Sequence, residues 1–202
     1  MKGLSTRQAV IKRTFDIAGA LVCLLLSGWI ILLAWVAATI DTRKNGIFTQ
    51  TRVGRYGRPF KVMKIRTMRD LGGIDTTVTT ATDPRVTRLG RFLRLTRIDE
   101  LPQLVNILFG RMSFVGPRPD VPGFADQLEG EDRLVLSVRP GMTGPATLRF
   151  RSEAALLENC ADPERYNREV IFPEKVRLNL EYIRNYSLGK DLILLWNTIL
   201  PK

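Results

Sequence analysis

The sequence predicts an α+β fold, one compact domain preceded by a membrane segment. Three observations carry that reading. Residues 17–40 run without a single charged side chain. Residues 47–66 alternate apolar and polar around Gly54-Arg55-Tyr56-Gly57, the pattern of two strands joined by a glycine-containing turn. The C-terminal third carries apolar residues at helical spacing.

The apolar segment comes first. As one helix it would run roughly 36 Å at 1.5 Å per residue, enough to cross a hydrocarbon core of about 30 Å. It is too long for the apolar region of a secretory signal, and no small-x-small cleavage site precedes a mature start. Lys2, Arg7, Lys12 and Arg13 lie before it, and Arg43, Lys44, Arg52, Arg55 and Arg58 after it. Positive residues mark the cytoplasmic side, and here both ends carry them. A re-entrant segment, entering and leaving by one face, satisfies both ends; an ordinary spanning helix is the alternative. The re-entrant form needs a break, and Ser27-Gly28 near the middle is the expected place.

The hairpin over residues 47–53 and 59–66 follows. Residues 70–84 are rich in Gly, Thr and Asp and read as a mobile loop. Residues 85–95 form a short basic helix. Asp99 is placed to cap a helix over residues 100–109, with Pro102 in its first turn and Gly110 just past its end. Residues 121–138 carry helical periodicity between two loops, Gly116-Pro-Arg-Pro119 and Arg139-Pro-Gly-Met-Thr-Gly144. A helix over residues 162–185 breaks near Pro173. Residues 187–200 put Leu188, Leu192, Leu195, Trp196 and Ile199 on one broad face, packed on the core or lying in a membrane interface.

Composition narrows the chemistry. The chain has 31 Lys and Arg against 20 Asp and Glu, a net charge of +11. Such an excess calls for an anionic partner: nucleic acid, an acidic membrane surface or phosphorylated substrates. The basic residues form no single run, and a soluble DNA binder has no use for the apolar segment, so nucleic acid is not expected. Histidine is absent, which excludes His-based triads, His general bases and His-rich zinc sites. Cys23 and Cys160 lack Cys-x-x-Cys spacing, so neither a disulfide framework nor a thiolate metal site is expected. A metal would be held by oxygen and would resemble Mg²⁺. No Walker A sequence occurs.

Asp99 and Glu100 then stand out as adjacent carboxylates. Taken alone they are a helix cap and a favourable first-turn acid. Arg91, Arg94 and Arg97 precede them closely, while Lys64, Arg66, Arg118 and Arg139 sit in turn-adjacent segments that could converge. Carboxylates among many cations suit a reaction on phosphates, with the cations binding phosphate oxygens and one carboxylate attacking phosphorus or holding a metal.

Several motifs occur in a fixed order. They are Phe48-Thr-Gln50 with Arg52 and Gly54, Lys64-Ile-Arg-Thr-Met68, Asp83-Pro-Arg85 with Arg88-Leu-Gly90, and Asp99-Glu-Leu-Pro-Gln103. Asn106-Ile-Leu-Phe-Gly110, Met112-Ser-Phe-Val-Gly-Pro-Arg-Pro119 and Arg139-Pro-Gly-Met-Thr-Gly144 follow. Through them the chain resembles, over essentially its whole length, the monotopic phosphoglycosyl transferases of bacterial polysaccharide and glycoprotein pathways. The resemblance implies a re-entrant membrane helix over residues 1–42 and a mixed α/β catalytic domain with interfacial amphipathic helices over 43–202. It implies a place on the cytoplasmic face of the bacterial inner membrane, among its lipids. The implied reaction takes a UDP-sugar and polyprenol (undecaprenyl) phosphate to polyprenyl-diphosphate-sugar and UMP, with Mg²⁺. Asp99 would be the nucleophile and a metal ligand, and Glu100 would assist through the metal or as a base. Lys64, Arg94, Arg118 and Arg139 would bind substrate phosphates and nucleotide, and Asp191 matches an acid of less defined role. Two departures stand: Ser27-Gly28 replaces the usual Ser-Pro, and Pro145-Ala-Thr-Leu-Arg-Phe150 replaces a frequent Leu-Ala-Gln continuation. The alternative of another class is a non-catalytic membrane adaptor acting through its basic face.

Overall fold

A computed structural model describes residues 3–70, 83–158, 160 and 162–200. The reading of residues 70–84 as a mobile loop falls almost entirely outside them.

Helix α1, Thr6–Thr42, is 37 residues long and starts at a capping box. Ser5 Oγ accepts from Gln8 N–H, and Gln8 Oε1 accepts from Ser5 N–H, so two otherwise unpaired donors are satisfied. Lys12, Asp16, Ala20, Ala34, Ala38 and Thr42 are buried, and half-buried Cys23, Ser27 and Ile31 continue the row. That spacing is one face of a 3.6-residue helix. Small alanines let the face approach closely. Ala20 packs with Val62, Leu104, Ile107 and Met112, and Ala34 and Ala38 pack with Ile65 and Leu93. Both halves of α1 therefore rest on the same globular body. The opposite face is bare: Leu25 is 82% exposed, Leu26 71% and Ile40 74%.

The expected break at Ser27-Gly28 is not formed, and α1 runs through it as helix. Ser27 Oγ donates to the Cys23 carbonyl at 2.7 Å. Without a proline no backbone hydrogen bond is removed and no ring clashes with the preceding turn.

Strands β1 (Ile47–Val53) and β2 (Pro59–Ile65) form the expected antiparallel hairpin, in register from Ile47↔Ile65 to Val53↔Pro59. Helix α2 spans Arg88–Leu95, three residues shorter at its start than the sequence suggested, because Thr87 caps it by accepting from Gly90 N–H. Gly90 is required there. A Cβ at that position would lie 2.0 Å from the Thr67 carbonyl oxygen, so only glycine lets α2 seat against the end of β2.

Asp99 does not cap a helix over 100–109. It lies inside a short 3₁₀ turn, Ile98–Glu100, and α3 follows over Gln103–Leu108. The capping reading fails because Arg97, in the left-handed region at φ 56, turns the chain before Asp99. Pro102, with no N–H to give, then separates the turn from α3. Asn106 ties α3 to β2: its amide accepts from Met63 N–H at 3.0 Å and donates to the Lys61 carbonyl at 2.9 Å.

Strands β3 (Ser113–Val115) and β4 (Gly141–Thr143) pair in parallel. Between them, residues 121–138 are not one helix but two 3₁₀ turns, Ala125–Gln127 and Asp132–Ser137. Pro122 and Gly123, the latter at φ 101, interrupt the chain before the first. Helices α4 (Pro145–Arg149), α5 (Glu153–Glu158) and α6 (Pro163–Tyr166) precede a π-helical stretch, Asn167–Ile171, that runs into α7, Phe172–Arg184. The irregularity near Pro173 is therefore a widened turn rather than a break. Proline cannot donate to the carbonyl four residues back, and Phe172 N–H reaches five back to Asn167 instead.

Helix α8, Leu188–Ile199, starts at Ser187, whose Oγ accepts from Lys190 N–H. Its expected single apolar face is split. Leu194 and Leu195 pack inward near Val115, Val138 and Tyr182, whereas Leu192, Ile193, Trp196 and Ile199 stay exposed.

Candidate active site

The site is built where β1, β2, α2 and the 3₁₀ turn meet. Strand alternation puts Phe48, Gln50 and Arg52 on one face of β1, and Phe48 pairs across to Lys64 on β2. Arg94 comes from the last turn of α2, where its Nε donates to Thr67 Oγ1 at 2.9 Å. The left-handed turn at Arg97, which costs a non-glycine residue about 1 kcal/mol, delivers Asp99 and Glu100. Arg118 comes from the loop after β3. Arg52 steadies that loop: it donates to the Pro119 carbonyl at 3.2 Å while Gln50 Oε1 holds its other nitrogens. Together these residues line a cleft of about 660 Å³.

The two adjacent carboxylates have opposite environments. Glu100 is surrounded by cations: Arg118 Nη2 lies 3.1 Å from Oε1, Lys64 Nζ 3.4 Å from the same oxygen, and Arg97 Nη1 3.7 Å from Oε2. Burial alone would raise its pKa, but the charges of Arg118, Lys64 and Arg97 overcome that and hold it at about 2. Asp99 is equally buried, and among the described residues no side chain or backbone donor reaches its oxygens within hydrogen-bonding or ion-pair distance. Burial raises its pKa, repulsion from Glu100 raises it further, and Lys64, Arg94 and Arg118 offset part of the rise. Glu100 orders the cations; Asp99 keeps its lone pairs.

Lys64, Arg94, Asp99, Glu100 and Arg118 thus meet in one cleft. Arg139 does not join them. Its Nε donates to the Gly110 carbonyl at 2.8 Å, beside Arg13, which donates to the Ile107 and Leu108 carbonyls at 2.6 and 2.8 Å. The two arginines donate to carbonyls at and just past the end of α3, where positive charge is favoured; that of Ile107 also accepts from Gly110 N–H at 2.9 Å. Asp191 is also remote from the cleft: fully buried, it bonds Lys12 Nζ at 2.5 Å and Tyr182 Oη at 2.6 Å. Gln50, Arg52 and Arg85 line the cleft without having been singled out as site residues. Period-two alternation along β1 was the available signal for the first two. Arg85 is held by a bidentate contact to Asp83, with Nη2 2.7 Å from Oδ2.

A divalent cation fits this donor set in one way. No cluster of three or more Asp, Glu, Cys or His capable of caging a metal exists among the described residues. Mg²⁺ needs no cage, since it is commonly held by one or two carboxylates plus substrate phosphates and water. The unengaged oxygens of Asp99 suit that role; those of Glu100 are already taken.

The sequence matches the family model described as bacterial sugar transferase over residues 7–201. It is 38% identical over 202 residues to the UDP-glucose:undecaprenyl-phosphate glucose-1-phosphate transferase of Escherichia coli K12, covering 97% of this chain and 41% of that protein. It is 35% identical to a Caulobacter vibrioides enzyme of the same name, covering 93% of this chain and 68% of that protein. A third relative, from Aeromonas hydrophila, is a UDP-N-acetylgalactosamine-undecaprenyl-phosphate N-acetylgalactosaminephosphotransferase. It is 34% identical, covering 95% of this chain and 43% of that protein. The chain thus spans about two fifths of the Escherichia and Aeromonas proteins. With this match running almost from end to end, the chain belongs to the bacterial sugar transferase family.

Proposed function

We propose that the chain transfers a sugar-1-phosphate from a UDP-sugar to polyprenol phosphate through a covalent intermediate on Asp99. The observation that carries this is the contrast within one cleft: Glu100 is saturated by cations, while Asp99 is buried and unpaired. The names of the relatives, all sugar-phosphate transferases onto undecaprenyl phosphate, support the reaction class.

The mechanism follows from the residues. Lys64, Arg94 and Arg118 bind the diphosphate oxygens and offset charge as it redistributes. A carboxylate oxygen of Asp99 attacks the phosphorus that bears the sugar. The bond from that phosphorus to the UMP oxygen breaks, and UMP leaves with the electron pair. A phosphate oxygen of the lipid then attacks the aspartyl phospho-sugar, restoring the Asp99 carboxylate and forming polyprenyl-diphosphate-sugar. Glu100, already ionised, keeps Lys64 and Arg118 in place; with a pKa of about 2 it is a poor base in the unliganded site. Mg²⁺ bound by Asp99 and the phosphates would neutralise charge on the diphosphate.

The membrane reading belongs to the same proposal. The exposed face of α1, with Leu25, Leu26 and Trp29, and exposed Phe92, Leu95 and Phe109 on or beside helices packed against it form apolar surface that water disfavours. Both halves of α1 pack on one body, so both ends sit on one side of the bilayer, with the middle dipping into it. Trp196 and Ile199 of α8 add interfacial contacts.

One experiment tests both parts. In sealed vesicles holding polyprenol phosphate and Mg²⁺, addition of UDP-sugars should release UMP, and chelation of the metal should stop the release. Single cysteines placed at Arg7 and Lys44 should react with an impermeant maleimide from the same side. No UMP from any UDP-sugar would favour the adaptor reading, and labelling from opposite sides would overturn the one-sided topology.

A further inference from the structure

A second cavity, of about 250 Å³, is lined in part by residues 117–120. Arg97 and Arg118 line both spaces, so the two adjoin at those residues. A substrate whose phosphates rest on Arg118 can extend from one into the other. Ligand pockets for drug-sized molecules run to roughly 300–1,000 Å³, so this cavity takes a fragment of a nucleotide-sugar and not the whole.

Residues of its wall carry polar atoms that the protein leaves unpaired. Asn179 is 6% exposed, and its Oδ1 is buried with no hydrogen-bond partner; Thr147 Oγ1 is likewise buried and unpartnered. Buried polar atoms in native proteins are nearly always paired, so two orphans in one cavity call for a ligand or water. The Asp120 carboxylate also has no hydrogen bond among the described residues. Burial raises its pKa to about 6, against the pull of Lys175 and Arg52. Glu153 stands beside it, with both oxygens 2.7 Å from Lys175 Nζ.

The chemistry of this set selects between the two ends of the substrate. Asp120 and Asn179 Oδ1 accept, the Asn179 amide nitrogen and the Thr147 hydroxyl can also donate, and Glu153 is held by Lys175. The fitting partner therefore carries several hydroxyl groups, which donate and accept. A sugar supplies several. A pyrimidine base carries one N–H and no hydroxyl, so it offers Asp120, Asn179 and Thr147 fewer donors. Phe150 and Phe172 add apolar wall against which the C–H faces of a sugar ring can pack.

Building on the proposed reaction, the geometry points to this cavity as the site of the transferred sugar, with Asn179, Thr147 and Asp120 reading its hydroxyl pattern. The nucleotide and its phosphates remain in the larger cleft. The sugars named in the relatives differ, glucose in two and N-acetylgalactosamine in the third, so the cavity is where such a choice would be made.

The test separates sugar from nucleotide. Thr147→Val and Asn179→Leu keep approximate shape and remove the unpaired oxygens, so neither leaves a new buried polar group. Full-length protein in lipid nanodiscs is assayed for UMP release with UDP-glucose, UDP-galactose, UDP-N-acetylglucosamine and UDP-N-acetylgalactosamine, and for binding of each and of UDP by calorimetry. For the preferred UDP-sugar, Asn179→Leu should lower kcat/KM about tenfold or more, the loss of one good hydrogen bond. Thr147→Val should lower it several-fold and change the order of preference among the four. Affinity for UDP should stay within about twofold of wild type. Equal weakening of UDP and UDP-sugar would overturn the assignment, as would unchanged kcat/KM and preference in both variants. Should wild type release no UMP from any of the four, the reaction fails but binding still decides. The UDP-sugar must then bind more tightly than UDP and lose that advantage in both variants.

Discussion

At the scale of single residues the site rests on a division of labour between neighbours. Asp99 could be singled out from the sequence, because without histidine or paired cysteines a carboxylate among cations is the remaining candidate for phosphate chemistry. The environment of Glu100 could not. Its partners Lys64 and Arg118 lie 36 and 18 positions away, and only the folded chain shows that they saturate it. A pH prediction follows. The proposed reaction needs ionised Asp99, whose pKa is raised by burial and by Glu100, so activity should fall as pH drops through a value above that of an ordinary aspartate. Glu100→Gln removes the like charge and leaves Lys64, Arg94 and Arg118 facing Asp99. The acid limb of kcat/KM should therefore move to lower pH, while misplaced cations reduce kcat by about 100-fold. A limb that stays in place would show that the two carboxylates are not coupled.

Elements set the distances between these residues. The hairpin β1–β2 was readable to within a residue, because strand alternation and the Gly54–Gly57 turn are local signals. The helix assigned to residues 100–109 and the one assigned to 121–138 were not. The left-handed Arg97 and the 3₁₀ turns depend on packing that periodicity does not record. That Arg139 lies apart from the cleft was not legible for a related reason: an arginine beside a Gly-Pro turn reads alike whether it meets a phosphate or the carbonyls near the end of α3. Asp191 proves to be a joint between elements. Its carboxylate receives Lys12 of α1 and Tyr182 of α7 with almost no exposure, and removing one partner of a buried pair strands the other charge. Asp191→Ala should cost about 3–5 kcal/mol, lowering Tm by about 10 °C for a domain of this size, as read by thermal unfolding in detergent. Asp191→Asn keeps an acceptor for Tyr182 and should lose less. Equal midpoints for wild type and Asp191→Ala would remove the joint.

For the whole molecule, charge and hydropathy spoke most clearly. The uncharged run predicted a long apolar helix, and α1 is that helix, with basic residues at both ends. The expected break at Ser27-Gly28 is missing because a permissive glycine does not force one. One-sidedness rests instead on the continuous row from Lys12 to Thr42, which seats both halves of α1 on the body that carries the cleft. In the proposed reading Asp99 then lies in a domain held against the bilayer, where a soluble nucleotide-sugar and a membrane-bound phosphate would reach the same carboxylate in turn. The central claim is that Asp99 carries the phospho-sugar between them. The direct measurement incubates the protein with a UDP-sugar radiolabelled in its sugar, without lipid phosphate. Wild type should retain label on the chain in proportion to UMP released and surrender it when lipid phosphate is added, whereas Asp99→Asn should neither bind label nor release UMP. UMP release that requires lipid phosphate and leaves no label on the chain, or a labelled Asp99→Asn chain, would contradict it.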